Sequence, residues 1–474
     1  MLTALGQMEF KPGKGTPLRK LCAAGVQYGW DELTRGTKAD LLAQTSAKAR
    51  TSLRRDLQQT LERITRPCLE LESTSFVLAT ESLGLAPTSD RNAGERMFLR
   101  DRPSYRLRLL FGRFPVLARL WALAIDQWRD HIDEVLERVQ HDRDAISHFL
   151  FDDRHLGRIG DMRLGLSDPH HHGRSVTFLQ FDSGRLIYKP RSGRGEASWF
   201  ELLQWMNSHG LVPKLRGARV LERDSYSWME YVEAASCNDR AAVERFYERL
   251  GAMIAAAYLL KAVDCHRQNV IAAGEDPVLV DIDALWHVSP VTKTQEPADL
   301  LYRTGFFPSR RRRSLQSRSS VLGWNSTGKH LARVKGRPAV ASDYAEEIVR
   351  GFAAGWQCLV GTSGRHAAFR KMVRRIRARP RRWIYLATER YATMRKASLS
   401  PAAMQSEVAR EALLKRLVSR RSVGHSVRQA EVKALRQLDL PYFVRKTSEA
   451  MPDDNPIVPL EIVAAIRDAL RGAR

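Results

Sequence analysis

The stretch YLLKAVDCHRQNVIAAGEDPVLVDIDALWH, residues 258–287, decides how this chain is organised. It begins in an apolar helix, continues into a short polar loop that carries Asp264 and Asn269, and predicts a strand over 277–280 that ends just before Asp281. Metal-assisted phosphoryl transfer needs such side chains in this order. One carboxylate accepts the proton of an attacking hydroxyl, while an amide oxygen and a second carboxylate hold Mg²⁺. The stretch therefore predicts a phosphoryl-transfer site.

The polar loop also has an ordinary interpretation. Asp, His and Asn are common in turns, so a D-x-H-x-x-N string needs no catalytic role. Three neighbouring features favour catalysis: the apolar helix before the loop, the strand that ends at Asp281, and a lysine-bearing strand upstream.

Composition limits the class of protein and its partners. The 474 residues exceed what one hydrophobic core normally holds, which predicts two or three lobes. Lys and Arg number 77 against 53 Asp and Glu, and the net charge of +24 should draw polyanions to the surface. Nucleic acid is not the expected partner, because the basic segment 374–382 has aliphatic neighbours and no nucleic-acid fold signature.

Cysteine spacing and hydropathy favour a soluble protein in a reducing compartment. The five cysteines are scattered without a C-x-x-C pair, which argues against a disulfide framework and a thiolate zinc site. The first residues lack the apolar segment of a signal peptide, and the apolar run 252–260 is shorter than the roughly 18 residues of a membrane span. We expect a cytoplasmic protein with no membrane span.

The two ends of the chain are predicted to be helical. Residues 20–150 place apolar side chains three and four positions apart, and the Pro- and Asp-containing stretch 85–101 predicts a loop between two helical blocks. Helical periodicity returns beyond residue 342 and continues to the C-terminus, with breaks near Pro441 and Pro452.

The middle of the chain carries strand signals. The runs SVTFLQF and RLIYKP flank Asp182-Ser183-Gly184, which predicts a β-hairpin. Lys189, near the end of the second strand, is either an exposed strand lysine or the lysine that kinase-like folds direct at nucleotide phosphates. Asp168, His170 and Gly173 lie in a polar lead-in that is placed to close over those phosphates.

Three consecutive histidines, His170 to His172, are either a solvated turn or a transition-metal cluster. Adjacent imidazoles rarely all point in one direction, so the turn is favoured.

Further elements follow downstream. Residues 196–210 predict a helix packed on the hairpin, and 225–234 predict a strand that leads to the usual position of an adenine pocket. The helix 245–260 has an apolar face that indicates core packing rather than a cofactor box. The stretch 290–342 predicts a mobile basic loop. Its run Arg310–Arg313 is either a solvated face or a dock for an acidic peptide or phosphate.

With these motifs in place, the sequence resembles the dehydratase domain of the class II lanthipeptide synthetases, the LanM family. The resemblance covers most of the chain and rests on motifs in family order: FPVLARLWALAIDQW, GLSDPHHHGRSV, LIYKPRS, SWMEYV, RFYERLGAMIAAAYLL with DCHRQNV, PVLVDIDALWH, YRTGFFP, RWIYLATERYATMRKASLSP and DLPYF.

The resemblance implies an α+β fold, bilobal and similar to lipid kinases, with a small β-rich N-lobe, a helical C-lobe and helical additions at both ends. The expected domains are an N-terminal helical region over 1–155, a kinase-like N-lobe over 156–235, a kinase-like C-lobe with the catalytic and basic loops over 236–342, and a C-terminal helical region over 343–474.

The resemblance also implies a reaction with ATP and Mg²⁺ on a precursor peptide that carries a leader. Ser and Thr would be phosphorylated and the phosphate then eliminated, giving dehydroalanine and dehydrobutyrine. By motif position, the residues for phosphorylation are Lys189, Asp264, His266, Asn269 and Asp281, of which Asn269 and Asp281 would hold the metal. The residues linked mainly to elimination are Asp168, His170, Arg382 and Thr388, and the expected nucleotide contacts are Lys189, Gly173 and Asp283.

Three departures from the family pattern bear on activity. The family usually has Glu where this chain has Asp283 and Gln268, and Arg where it has Leu386. A shorter or neutral side chain predicts weaker binding of metal or ADP.

Arg382 falls in a basic segment that is predicted to be helical. A kinase-only enzyme and a non-catalytic relative that binds the leader peptide stay open as alternatives.

The chain reaches Arg474 soon after DLPYF, which leaves no room for the cyclase domain of the family. That domain needs a zinc site with two Cys and one His, whereas Cys265 and His266 belong to the catalytic loop. We expect a stand-alone dehydratase or a split gene product, with ring closure left to a separate zinc-dependent cyclase or absent.

Overall fold

A computed structural model describes residues 16–83, 91–99, 103–285, 297–308, 320–322, 328–360, 363–377, 381–419, 423–445 and 460–471. Helices make up most of these residues and short antiparallel ladders accompany them, so the predicted α+β class is confirmed. Within the described ranges, no helix combines the length and the hydrophobicity that a bilayer crossing requires.

The elements are numbered in chain order. The helices are α1 Pro17–Arg35, α2 Ala39–Ala43, α3 Ala47–Ser82, α4 Arg91–Leu99, α5 Pro103–Arg113, α6 Pro115–His141, α7 Arg143–Phe151, α8 Arg194–Ser208, α9 Arg240–Leu259, α10 Pro297–Arg303, α11 Ala345–Val360, α12 Ser363–Arg377, α13 Thr388–Ala397, α14 Pro401–Met404, α15 Glu407–Ser419, α16 His425–Arg436 and α17 Leu460–Arg471. The strands are β1 Ile159–Arg163, β2 Thr177–Phe181, β3 Gly184–Lys189, β4 Val220–Glu222, β5 Ser227–Glu230, β6 Val270–Ala273, β7 Asp276–Leu279, β8 Arg333–Val334, β9 Arg337–Pro338, β10 Arg381–Trp383 and β11 Phe443–Arg445.

Contacts divide the chain into two compact units, each made of two segments. The first unit contains Met1–Pro190 and Tyr385–Tyr442, and the second contains Arg191–Ile384 and Phe443–Arg474.

Helix α3 supplies much of the core of the first unit. Its Ser46 cap accepts a hydrogen bond from the Ala49 N–H at 3.0 Å, which satisfies a backbone donor at the helix start. Leu53, Leu57 and Leu61 recur every fourth residue and are completely buried, because that spacing keeps them on one helix face. Burying each leucine stabilises the fold by about 1.5–3 kcal/mol.

Strands β1, β2 and β3 form an antiparallel ladder in the same unit. The pairing of β2 with β3 runs from Thr177 opposite Tyr188 to Phe181 opposite Gly184, which confirms the predicted hairpin. The Ser46 hydroxyl donates to the Gly160 carbonyl at 2.6 Å and so ties α3 to β1.

The second unit is organised by the close contact of α9 with α11. Both helices carry glycine where their backbones touch. A Cβ on Gly251 would lie 2.1 Å from the Ile348 carbonyl oxygen, and one on Gly351 would lie 1.8 Å from the Glu248 carbonyl oxygen. The predicted apolar face of α9 is core, since Met253 and its neighbours are completely buried.

The stretch 85–101, predicted to be a loop, contains helix α4. Phe98 and Leu99 are 4% and 7% exposed, and the Arg106 guanidinium lies 4.7 Å from the centre of the Phe98 ring. So short a helix is stabilised by tertiary packing rather than by its own sequence, which is why local pattern did not reveal it.

The stretch 290–342, predicted to be a mobile basic loop, contains helix α10. Leu301 and Phe306 are completely buried, so the few apolar residues of the stretch pack into the second unit. The run Arg310–Arg313 lies outside the described residues, and both interpretations of it stay predictions.

Arg382 lies in strand β10, so the prediction of a helix around it was wrong. Arg382 pairs with Val444 in the ladder of β10 with β11. Pro380 just before the strand lacks the N–H that a helix interior needs, and the partner strand is too distant in sequence for local pattern to show it. The C-terminal region is therefore not helical throughout, and Pro452 lies outside the described residues.

We expect Gly351→Ala to destabilise the protein, because its methyl group would lie 1.8 Å from the Glu248 carbonyl oxygen. Overpacking a core typically costs about 1–3 kcal/mol. Gly112→Ala in α5 is the matched control, since its Cβ would meet nothing within 4 Å and alanine favours a helix by about 0.5–1 kcal/mol. Thermal unfolding should show a lower midpoint for Gly351→Ala only. A Gly351→Ala midpoint equal to that of the wild type would contradict the close helix contact.

Candidate active site

The loop after α9 is fixed by hydrogen bonds to Asp264. The Asp264 backbone is left-handed, with φ of 69°. The Asp264 carbonyl accepts hydrogen bonds from the His266 N–H at 2.9 Å and from Asn269 Nδ2 at 2.8 Å. Because a carbonyl only accepts, the Asn269 amide must turn its NH₂ towards Asp264, and Oδ1 becomes its cation-binding atom. The loop thus presents a carboxylate and an amide oxygen.

The hairpin of β6 and β7 brings Asn269 and Asp281 to the same end of one ladder. Val270 pairs with Leu279, and the Val280 N–H donates to the Asn269 carbonyl at 2.7 Å. Side-chain oxygens at this end are the ligand type that Mg²⁺ prefers.

Arg191 is the centre of a carboxylate cluster in the second unit. Its guanidinium binds Glu196 on α8 through hydrogen bonds of 3.1 and 2.5 Å, donates to Asp281, and lies 3.4 Å from Asp283. Glu196 is completely buried and Asp283 is 9% exposed. The guanidinium therefore provides the counter-charge that buried carboxylates need.

Helix α8 reaches this cluster through a glycine in its first turn. A Cβ on Gly195 would lie 2.5 Å from the Ile282 carbonyl oxygen, so a larger residue would push the helix away from the segment between Asp281 and Asp283. The adjacent Glu196 is thereby held within reach of Arg191.

Arg382 brings a second cation to the cluster. Its backbone N–H donates to the Asp283 carbonyl at 3.0 Å. Its guanidinium lies 3.4 Å from an Asp264 oxygen and 3.8 Å from an Asp283 oxygen. Arg382 and Asp264 are 118 positions apart. Folding thus joins a residue expected for elimination to the expected base of phosphorylation.

Carboxylates outnumber guanidinium groups among the ion pairs described for this cluster. Two guanidinium groups face four carboxylates, those of Glu196, Asp264, Asp281 and Asp283. Burial raises the pKa of Asp283 above its usual range, and the guanidinium groups of Arg191 and Arg382 oppose that shift. A site built from hard oxygen atoms suits a divalent cation.

In the described parts of the chain, no group of three or more His, Cys, Asp or Glu side chains is arranged as a metal site by itself. This does not conflict with Asn269 and Asp281 as ligands, because Mg²⁺ at such sites is held by one or two carboxylates together with substrate phosphates.

His266 and Cys265 have different environments. His266 Nε2 lies 3.5 Å from the Asp264 carboxylate. Cys265 is completely buried, its N–H donates to the Thr304 carbonyl at 2.8 Å, and burial raises the pKa of its thiol. Cys265 is therefore a packed thiol and lacks the environment of a reactive thiolate.

The histidine turn in the first unit is held by the segment Asp439–Leu440. His170 Nδ1 lies 2.7 Å from the Leu440 carbonyl oxygen. Asp439 accepts hydrogen bonds from the backbone N–H groups of His172 and Gly173, at 2.7 and 2.8 Å. Both residues of the segment thus contact the turn.

The turn uses backbone conformations that most residues avoid. φ is 47° at His171, 72° at His172 and 77° at Gly173, and such conformations cost non-glycine residues about 1–3 kcal/mol each. A Cβ on Gly173 would also lie 2.6 Å from the Gln127 Cβ. His170 Nδ1 faces the Leu440 carbonyl, the His170 and His171 rings both lie beside the Tyr442 ring, and His172 faces Asp130.

Three more of the predicted site residues lie in the first unit. Asp168 forms an ion pair with Arg395 on α13 at 3.1 Å. Lys189 is 4% exposed at the end of β3, which excludes the exposed strand lysine. Thr388 is the first residue of α13.

Leu386, where the family usually has Arg, packs against an apolar cluster of the first unit that includes Tyr391, Leu414 and Leu435. The side chain suits this environment, in which a guanidinium would be desolvated. Gln268, at another departure, is exposed beside the loop.

The structure places the predicted residues in two groups. The second unit brings together Asp264, His266, Asn269, Asp281, Asp283 and Arg382. The first unit contains Asp168, His170, Gly173, Lys189 and Thr388.

Four residues that contact or support these two groups were not predicted from the sequence: Arg191, Glu196, Arg395 and Asp439. Arg191 and Asp439 lie inside the motifs LIYKPRS and DLPYF, so a charged residue within a matching motif was the available signal. Glu196 and Arg395 carry no local signal, because each is recognised only by its distant partner.

Comparison with known proteins now defines the family. The profile of a domain of unknown function, DUF4135, matches residues 114–330 and 323–446, most of the chain, and both groups of site residues lie inside these bounds. The chain belongs to this family.

One curated relative is a biosynthesis protein. The lacticin 481/lactococcin biosynthesis protein of Lactococcus lactis subsp. lactis is 20% identical over 380 residues, which cover 70% of this chain and 40% of the relative. This chain therefore spans about 40% of that protein's length. The resemblance to the LanM family is confirmed.

We expect Arg191→Met to lower the free energy of unfolding by about 3–5 kcal/mol, because it removes a counter-charge from the buried Glu196 and Asp283. Arg194→Met is the matched control, since the partner of Arg194, Asp224, is fully exposed and exposed pairs contribute about 0–1 kcal/mol.

Chemical denaturation measures both effects. The deficit of Arg191→Met should shrink at acidic pH, where protonated carboxyl groups need no counter-charge. Equal deficits for the two variants would show that Arg191 does not hold the cluster.

Proposed function

We propose that the protein is a lanthipeptide dehydratase that uses ATP and Mg²⁺. It phosphorylates Ser and Thr of a precursor peptide with a leader and then eliminates phosphate, which leaves dehydroalanine and dehydrobutyrine. The similarity to the Lactococcus lacticin 481/lactococcin biosynthesis protein supports this class of substrate. The proposal includes a bilobal, lipid-kinase-like arrangement of lobes.

One observation carries the proposal: the contact of the Arg382 guanidinium with the Asp264 carboxylate. Phosphorylation alone requires Asp264, Asn269 and Asp281. It does not require a partly buried arginine beside the base, Asp264. An enzyme that first transfers and then expels phosphate needs both a base and a cation at one position.

In the phosphorylation step, the Asp264 carboxylate accepts the proton of the Ser or Thr hydroxyl as the hydroxyl oxygen attacks the γ-phosphorus of ATP, and the bond from that phosphorus to the bridging oxygen breaks, so that ADP leaves. Asn269 Oδ1 and Asp281 would hold Mg²⁺ and Asp283 would contact the nucleotide, and by motif position Lys189 and Gly173 are further expected nucleotide contacts. ATP supplies the phosphoryl group and Mg²⁺ offsets phosphate charge. His266, beside Asp264, helps to keep the carboxylate oriented.

In the elimination step, the bond between Cα and its proton breaks, its electrons form the Cα–Cβ double bond, and phosphate leaves Cβ with the electron pair of the C–O bond. Asp168 and His170 take part in removing the Cα proton. The Arg382 guanidinium stabilises the charge of the departing phosphate, with Thr388 as a further contact.

The proposal also names partners and location. The precursor peptide is the principal partner, a separate zinc-dependent cyclase is a further candidate partner, and the reaction takes place in the cytoplasm, where ATP is supplied.

The test is mass spectrometry of a Cys-, Ser- and Thr-rich precursor encoded beside this gene, incubated with the protein, ATP and Mg²⁺. Loss of water mass supports the dehydratase. A gain of phosphate mass alone supports the kinase-only alternative, and binding of the leader with no mass change supports the non-catalytic relative.

Arg382→Ala should separate the two steps. Phosphopeptide should accumulate, because elimination loses a preorganised cation and slows by about a hundredfold or more. Asp281→Ala should instead block phosphorylation, because it removes a ligand of Mg²⁺.

Arg350→Ala is the control for this experiment, since Arg350 is an exposed arginine of the same unit whose partner is Glu248. It should dehydrate like the wild type. If Arg382→Ala also gives wild-type dehydration with no phosphopeptide, the elimination role of Arg382 is refuted.

A further inference from the structure

We propose that Asp439 is a positioning residue that, with the adjacent Leu440 carbonyl, holds His170 in the tautomer protonated on Nδ1. This inference rests on the proposed function, because its consequence is that His170 Nε2 takes the Cα proton during elimination.

Asp439 is built into the fold as an anchor for the histidine turn. It is 3% exposed, and its two carboxylate oxygens accept from the consecutive N–H groups of His172 and Gly173, at 2.7 and 2.8 Å. Its own N–H donates to the Ala434 carbonyl at 3.1 Å. The backbone of Asp439 is therefore fixed to α16, and its carboxylate is fixed to the turn.

The next residue continues the same contact. The Leu440 N–H donates to the Pro169 carbonyl at 2.8 Å, and the Leu440 carbonyl lies 2.7 Å from His170 Nδ1. Asp439 and Leu440 together bind the turn on both sides of His170. A shift of Asp439 must therefore move the carbonyl that faces the imidazole.

The tautomer follows from the chemistry of these groups. A backbone carbonyl has lone pairs and no proton, so the hydrogen between it and Nδ1 belongs to the imidazole. In a neutral imidazole, Nε2 then carries the lone pair. A general base needs that lone pair, and the orientation of the ring decides where it points.

Other described contacts support the turn and its rings. Arg174 donates to the His171 carbonyl at 2.6 Å and to Glu134 at 2.7 Å, which supports the turn from the opposite side. The Tyr442 ring lies 5.2 Å from the His170 ring and restricts its tilt. Among the hydrogen bonds described for His170 Nδ1, the one to Leu440 fixes the proton.

The first measurement is NMR of ¹⁵N-histidine-labelled protein, with the His170 signal assigned from its loss in His170→Gln. Wild type should show the Nδ1-protonated form. Asp439→Asn offers an NH₂ to one of the two N–H groups, so the turn should shift and the signal should move towards the Nε2-protonated form or a mixture. The Nδ1-protonated form in Asp439→Asn would overturn the proposal.

Asp182→Asn is the matched control, because Asp182 also accepts a backbone hydrogen bond, from the Arg158 N–H at 2.8 Å, in the hairpin turn. It should leave the His170 signal unchanged. If Asp439→Asn fails to fold, Asp439→Glu is used, since it keeps the charge but moves the carboxylate by one methylene group. The same shift of the His170 signal is expected.

The second measurement is elimination from phosphorylated precursor in the presence of ADP. Asp439→Asn should lower kcat for elimination by about a hundredfold, as expected for a misplaced catalytic group, with KM for the phosphopeptide unchanged. Wild-type kcat in this variant would overturn the positioning role. If the wild-type protein itself eliminates nothing, the proposed function fails, whereas the tautomer measurement still decides what Asp439 does to His170.

Discussion

The contact of the Arg191 guanidinium with three carboxylates is the interaction on which the second unit depends. Glu196 comes from α8, whereas Asp281 and Asp283 follow β7. The buried carboxylates of Glu196 and Asp283 need a partner, and one planar cation contacts both of them and the half-buried Asp281. Gly195 lets the helix come close enough for this arrangement. An internal cation therefore keeps the oxygen atoms of the candidate site in place.

The position of Arg382 explains how one site could serve two successive reactions. Its guanidinium contacts Asp264 and Asp283 and is 13% exposed, so it is fixed beside the loop that carries the expected base and metal ligand. In our proposal, this cation offsets the charge of phosphate when the phosphoester breaks. The Arg382 guanidinium contacts the carboxylate of Asp264, the expected base. We therefore also expect changes at Arg382 to affect the orientation of Asp264.

Local sequence encoded part of the site and none of its long-range contacts. The loop from Asp264 to Asn269 and the strand before Asp281 were predictable, because an apolar helix, polar turn residues and a short apolar run lie next to one another. The contact of Arg191 with Asp281 spans 90 positions and that of Arg382 with Asp264 spans 118. No periodicity encodes such contacts. Helices α4 and α10 were missed for a related reason, since tertiary packing stabilises them.

The histidine turn shows the same division. The motif that contains it was recognisable, but its strained backbone depends on Asp439, whose contact with His172 spans 267 positions. This contact gives a structural reason for the motif DLPYF, which resemblance alone did not provide. Leu386 shows the converse case, because a departure from the family pattern is explained by the apolar cluster around it.

The most direct test of the two-step account follows the γ-phosphate of labelled ATP during a single turnover on the precursor peptide. The account predicts that label appears first on the peptide and then as free phosphate, at the rate at which dehydrated residues form. Free phosphate that appears without a labelled peptide intermediate, or label that stays on the peptide indefinitely, would contradict it.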